Sequence, residues 1–411
     1  MSTLLQPAST ADPLRKEFTP AATRMLAASV IAQLVGGTMA IGLFPLLMTP
    51  IAQALGWSGI QSGIMAGITL ICAAVGLPIC GYLVDRFGPR PVVLGGAALT
   101  GLGLLALAAQ TGSLIQSGLS FAAAGLLSST SVAHVKAQAQ RFDRSRGLVL
   151  ALLGMTVGVS FGLTPLFGKM VLNAYGWRAV YACFALLPLC VSLPVLFVWF
   201  RPDAMGSHHA GLPDGVPIGT AFRRRRFWGI VFMAAASAFV FAGMQTNFVN
   251  FLQERGLSGQ RSVDVLSLAV FGGLLCQLLT GWMLDRWRTP RAAMPFVGIA
   301  LLGMILLIVG KGPAITIAGV ILLQSGVGGE LSIIPYLVSR AFGGQHLARI
   351  FGTIMLIAQV ISGGSPVMMG AVHDKLGSYA PALPVFATLL ATSLVILFLL
   401  GSGRRSAETV R

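Results

Sequence analysis

Apolar stretches of about 20 residues follow one another along the whole chain, separated by short turns that are polar or broken by Gly and Pro. Each stretch is long enough to cross the hydrocarbon core of a bilayer, roughly 30 Å thick, as a helix. Twelve are placed, at about 24–48, 59–84, 91–109, 113–138, 147–171, 178–200, 227–252, 261–284, 292–310, 313–338, 350–372 and 381–400. Residues 1–23 are polar, form an N-terminal tail and lack the apolar core of a signal peptide. The longest polar stretch, 201–226, ends in four arginines and divides the spans into six and six, 24–200 and 227–400; a basic tail follows at 401–411. An outer-membrane barrel would instead show alternating strands of about ten residues.

The two sets of six repeat each other. Gly81-Tyr82-Leu83-Val84-Asp85-Arg86-Phe87-Gly88-Pro89-Arg90 separates the second and third spans, and Gly281-Trp282-Met283-Leu284-Asp285-Arg286-Trp287-Arg288 stands 200 residues later. Gly56, Ser58 and Gly59 recur at the same offset as Gly256, Ser258 and Gly259. The pattern therefore predicts an all-α membrane protein, twelve transmembrane helices in two pseudo-symmetric six-helix halves. In such a turn a glycine lets two helices approach closely, and the aspartate can pair with a basic group or a helix N-terminus.

The first of these turns, G-x-L-x-D-R-x-G-x-R, resembles the signature loop of the major facilitator superfamily. In that family the loop helps hold the halves together on the cytoplasmic side. The resemblance implies a conformational latch made of Gly81, Asp85, Arg86 and Arg90, with Gly281, Asp285 and Arg286 as its copy. Smaller pieces are similar to the monocarboxylate and oxalate–formate exchanger branch. They are Gly56-Trp57-Ser58, Arg141-Phe142-Asp143-Arg144-Ser145-Arg146-Gly147, Arg201-Pro202-Asp203-Ala204-Met205-Gly206, Ser339-Arg340-Ala341-Phe342-Gly343 and Asp374-Lys375-Leu376-Gly377-Ser378-Tyr379. Carriers of that branch place a basic residue within the eighth or eleventh span; here Arg261 and Lys375 stand only at the external ends.

Composition sharpens the class. The chain is 55% hydrophobic and 10% charged, too little charge for the surface of a soluble globule. Its net charge of +16 does not point to nucleic acid, because 22 of the 28 Lys and Arg fall on one side of the membrane. That bias puts both termini in the cytoplasm and suits a bacterial inner membrane. The Arg223–Arg226 run anchors the seventh span, with lipid headgroups as neighbours. All five cysteines lie in apolar spans without metal-type spacing, and His208-His209 has no further ligand cluster, so no cofactor or metal is expected. No Walker A sequence suggests ATP as the driving force.

Polar residues inside spans mark the candidate path. Gln33 and Thr38, among the glycines of the first span, suit a kinked helix facing a cavity. The seventh carries Gln245, Thr246 and Asn247, of which at most two can look into a cavity, and the tenth carries Glu330 and Tyr336. Glu330 is the only acid placed deep in a span; it is read as a proton carrier, with a hydrogen bond between helices as the alternative. His134 is read first as a satisfied interfacial histidine and second as its partner, while Lys136 is expected to snorkel outward. Gly154, Gly158 and Gly162 form a helix-packing face, and Gly158-Val159-Ser160-Phe161-Gly162 matches the hydrolase elbow pattern by chance, mid-helix. These readings predict a monomeric secondary transporter of a small organic anion, working by alternating access. The alternatives are a drug or cation efflux pump and, more remotely, a membrane enzyme or receptor.

Overall fold

The computed structural model describes residues 17–201, 216–310, 312–330, 332–343 and 346–402. The polar tails, most of the linker and the His208-His209 pair lie outside them, as do the side chains of Thr246 and Glu330. Among the described residues there is no strand, and ten helical segments are long and apolar enough to cross a membrane.

The difference from twelve lies at two places. Residues 146–199 form one continuous segment of 54 residues, which at 1.5 Å per residue would span about 80 Å as a straight helix. It cannot lie straight, because Gly176 breaks it with φ 81° and ψ 175°. The first expected span is interrupted instead. Its pieces are α1 (Pro20–Leu34), α2 (Gly37–Gly42) and α3 (Phe44–Leu55), none long enough alone to cross.

The remaining helices follow the apolar pattern closely. They are α4 (Gly59–Phe87), α5 (Pro89–Ala108), α6 (Leu114–Leu127), α7 (Ser131–Arg141), α8 (Arg146–Leu186) and α9 (Leu193–Trp199) in the first half. A short α10 (Ile218–Phe222) precedes α11 (Arg225–Glu254), α12 (Gly259–Trp287), α13 (Met294–Val309), α14 (Pro313–Glu330), α15 (Ile333–Phe342), α16 (Leu347–Ser362), α17 (Gly364–Leu376) and α18 (Leu383–Ser402). Helix α4 starts at a capping box, in which Ser58 Oγ accepts the Gln61 N–H and Gln61 Oε1 accepts the Ser58 N–H. It ends at Gly88, whose φ of 82° turns the chain directly into Pro89 at the start of α5.

A 3₁₀ turn at Ser128–Thr130 separates α6 from α7. The first-span break packs on this turn, since a Cβ on Gly37 would lie 2.5 Å from the Ser128 Cα.

Buried apolar residues fall into three groups, and their placement describes the shape. One group joins both halves at the end of the molecule that carries the two Asp–Arg turns, drawing on Met25, Val84, Phe142, Leu150, Phe227, Leu284, Tyr336 and Ile350. At the opposite end the first half has a core of its own around Leu43, Phe121 and Tyr181. The second half has another around Phe248, Met304 and Phe386. The halves are thus fused at the Asp–Arg end and separately packed at the other.

Candidate functional site

At the fused end each signature aspartate reaches the opposite half. Asp85, in the last turn of α4, accepts the backbone N–H of Arg349 at 3.1 Å, in the first turn of α16. Asp285, in the last turn of α12, accepts the N–H groups of Gly147 at 2.5 Å and Leu148 at 2.8 Å, in the first turn of α8. The first N–H groups of a helix have no partner within it and carry its positive dipole end, so a carboxylate is the natural counterpart. Two pseudo-equivalent carboxylates, with three hydrogen bonds between them, therefore clamp one half on the other.

Glycines allow this approach. A Cβ on Gly81 would stand 2.5 Å from the Ala348 carbonyl oxygen, and one on Gly352 would stand 2.4 Å from that of Leu77. On the other side a Cβ on Gly281 would meet the Gly147 carbonyl oxygen at 2.5 Å. Gly154 and Gly158 also face α12, against Gln277 and Leu274, whereas a Cβ on Gly162 would meet nothing within 4 Å.

Lys136 corrects the sequence reading. Rather than snorkelling outward, its Nζ lies 2.7 Å from Asp85 Oδ1, with both side chains less than a tenth exposed. An ammonium buried at this depth needs a compensating charge, and Asp85 supplies it.

A second junction involves residues that the sequence offered for their family resemblance and not as latch candidates. Asp143, in the turn between α7 and α8, has Oδ1 3.2 Å from Arg146 Nη2 and 3.5 Å from Arg340 Nη2, and Oδ2 3.2 Å from Arg288 Nη2. Arg288 and Arg340 belong to the second half, so this carboxylate also bridges the halves. Glu17 holds the same turn, accepting the N–H groups of Asp143, Arg144 and Ser145 at 3.2, 2.8 and 3.1 Å. The run Arg141–Gly147 stood out in the sequence by its similarity to the exchanger branch, but its partners Arg288 and Arg340 lie in segments too distant for spacing to link them.

The other latch candidates point elsewhere. Arg90 Nη2 donates to the Phe197 carbonyl at 3.3 Å, within its own half. Arg86 Nη1 donates to the Tyr82 hydroxyl at 3.0 Å, and Arg286 is exposed.

The polar residues proposed to meet substrate form two sets. In the first half, the break after α1 frees backbone carbonyls, and hydroxyls take them up. Thr38 Oγ1 donates to the Gln33 carbonyl at 2.7 Å and Ser160 Oγ to that of Leu34 at 3.1 Å. The Gln33 amide oxygen lies 3.3 Å from Thr156 Oγ1, while its buried Nε2 has no partner among the described residues. In the second half, Gln245 Oε1 accepts Gln324 Nε2 at 3.2 Å, a partner on α14 that the sequence did not single out. Asn247 Nδ2 donates one turn back to the Gly243 carbonyl at 3.1 Å.

Tyr336 and His134 do not join these sets. The Tyr336 hydroxyl donates to the Leu284 carbonyl at 3.1 Å, in the fused end beside Asp285. The His134 ring is buried and stands edge-on to Phe200, 5.7 Å between centroids. Glu330 is the last residue of α14, and its side chain lies outside the described residues.

Comparison with known proteins identifies the architecture. The profile of the Major Facilitator Superfamily matches residues 28–366. The chain belongs to the major facilitator superfamily. Monocarboxylate transporter 13 of Bos taurus is 28% identical over 351 residues, covering 82% of this chain and 79% of that protein. A chloramphenicol resistance protein of Pseudomonas aeruginosa is 26% identical over 349 residues, covering 80% and 78%. The E. coli fucose:proton symporter FucP superposes with a TM-score of 0.72 at 14% identity, covering 91% of this chain and 98% of that one. This superfamily member is a multi-span membrane transporter, not an enzyme.

Proposed function

We infer that this transporter carries small organic acids of the monocarboxylate type across a bacterial inner membrane by alternating access. The observation that carries the reading is the asymmetry of the core: among the described residues, the buried cluster shared by both halves and the carboxylate–helix bonds between them lie toward the Asp–Arg end. A solute path between two halves is then shut at that end and open at the other. The excess of basic residues at the Asp–Arg end supports placing it in the cytoplasm, so the arrangement faces outward. Reading residues 20–55 as one broken span and 146–199 as two gives twelve crossings with both termini cytoplasmic.

The likeness to a monocarboxylate transporter supports the substrate class. Because the interiors of the eighth and eleventh spans carry no basic residue, an acid would enter as its neutral form or together with a proton. Glu330, the one acid deep in a span and placed at the end of α14, is the group we assign to hold that proton. Gln33 and the Gln245–Gln324 pair supply amides on either side of the path.

The test is uptake of labelled monocarboxylic acids into proteoliposomes under an inward pH gradient. Accumulation that collapses with the gradient supports the reading, and its absence across a panel of such acids overturns the substrate class. A second reading, efflux of cationic or neutral drugs, is favoured by the negative sign of the deep charge and by the likeness to a chloramphenicol resistance protein. Thermal-shift screening of carboxylic acids against cationic drugs separates the two, since only the true ligand class stabilises the fold.

A further inference from the structure

On the lipid-facing side of the first half, α4, α5 and α6 enclose an apolar groove of about 300 Å³. Ile79, Leu83 and Phe87, each a turn apart, form one wall, and all three are more than a third exposed in a segment read as crossing the membrane. Gly95 and Gly96 hollow the opposite wall; a Cβ on Gly95 would meet nothing within 4 Å. A slot of this size, walled almost wholly by hydrocarbon and open to the bilayer, accepts an acyl chain.

The end of the groove carries charge. Arg86 lies with its guanidinium carbon 5.3 Å from the centroid of Phe87, the last aromatic of the wall. Its Nη1 donates to the Tyr82 hydroxyl, and Arg349 of the other half lies 5.4 Å over the same tyrosine ring. Both arginines are exposed, and neither guanidinium is ion-paired with a carboxylate among the described residues. The nearby Asp85 is already engaged by Lys136 Nζ and the Arg349 N–H. Two cations thus meet on one tyrosine, and one of them, Arg86, adjoins the Phe87 wall of the apolar slot.

We propose that this groove and the Arg86–Tyr82–Arg349 cluster together form a binding site for one anionic phospholipid. One acyl chain fills the groove and the phosphate lies between the two guanidiniums. A hydrated zwitterionic headgroup offers less, because its own ammonium competes for the phosphate, whereas basic clusters at a membrane surface gain from each negative lipid charge. The arginines come from opposite halves and are brought together by the Asp85 clamp. A headgroup bridging them therefore binds the closed Asp–Arg end more tightly than an opened one, and shifts the population toward this state.

The experiment uses the full chain in detergent, with phosphatidylglycerol or phosphatidylcholine of identical chains added. Melting temperature and lipids retained in native mass spectrometry are both read. The wild type is expected to melt about 3 °C or more higher with phosphatidylglycerol than with phosphatidylcholine, and to retain one phosphatidylglycerol. Gly95→Leu fills the groove without touching the charged end and should remove both effects. Arg349→Gln should leave chain binding but abolish the preference for the anionic lipid. Glycerol 1-phosphate, which lacks chains, should give no shift; an equal shift would reduce the site to a phosphate site and overturn the lipid assignment. Equal responses of the wild type to both lipids would overturn the proposal, as would an undiminished preference in Arg349→Gln, which decides the matter even if Gly95→Leu does not fold.

Discussion

Asp85 and Asp285 occupy equivalent positions, yet their surroundings differ in a way that separates their mutants. Both accept N–H groups from a helix of the other half, but only Asp85 is ion-paired with a buried lysine at 2.7 Å. Asp85→Asn removes the carboxylate charge that faces the buried Lys136 ammonium, a loss that costs about 3–5 kcal/mol for a fully buried pair. We expect Asp85→Asn to melt below Asp285→Asn, and Asp85→Asn with Lys136→Met to recover part of the loss. Melting curves of the three variants would check this; equal melting of the two single variants would show that the ion pair contributes nothing. Glu330→Gln belongs to the same scale. The amide keeps the shape and cannot titrate, so this variant should lose uptake driven by a pH gradient while still exchanging substrate. Wild-type gradient-driven uptake would leave Glu330 as a structural hydrogen-bonding residue.

Among the elements, the broken first span shows how a helix interruption inside a bilayer is made tolerable. The carbonyls of Gln33 and Leu34 lose their helical partners and are taken by the Thr38 and Ser160 hydroxyls. A carbonyl left bare in hydrocarbon is costly, so Thr38→Val and Ser160→Ala should each destabilise the protein by about 1–3 kcal/mol. Denaturation of the purified variants in detergent would measure it. The contact of α4 with α16, and of α8 with α12, depends on backbone meeting backbone. Gly281→Leu places a side chain where the Gly147 carbonyl already lies, so it should push the halves apart at the Asp–Arg end. Cysteines introduced at that end should then label faster with a membrane-impermeant reagent added from the cytoplasmic side. Labelling no faster than in the parent would mean that the close contact does not control opening.

For the whole molecule, the three cores define a body that is joined at one end and divided at the other. If this joined end opens during each cycle, tying it shut must stop transport. Asp143 and Arg288 meet across the halves at this end, Oδ2 to Nη2 at 3.2 Å. In a background lacking the five native cysteines, Asp143→Cys with Arg288→Cys should be joined there by a short, reducible bifunctional thiol reagent. Uptake should fall to background and return with reductant, while substrate added from outside still binds. Full transport by the cross-linked protein would show that the halves do not separate there.

How much of this was legible beforehand follows from the range of the forces involved. The sequence by itself determined the membrane class, the all-helical fold, the repeated Asp–Arg turn and its two aspartates, because length, apolarity and local turn chemistry act within a few tens of residues. It also marked Gln33, Thr38 and Gln245 as polar groups that a span must accommodate. Only the tertiary structure decided what they touch. Asp85 meets one partner 51 residues away and another 264 away, and Asp143 gathers arginines from three separate segments. Lys136 was misread for the same reason, since its burial is created by helices the local pattern does not specify. Thr38 was marked for substrate and is held by a carbonyl freed at a helix break, a need that arises only once the break is packed. Pairings of this kind depend on which helices are brought face to face, and that is settled by close packing through glycines on both halves rather than by any one segment.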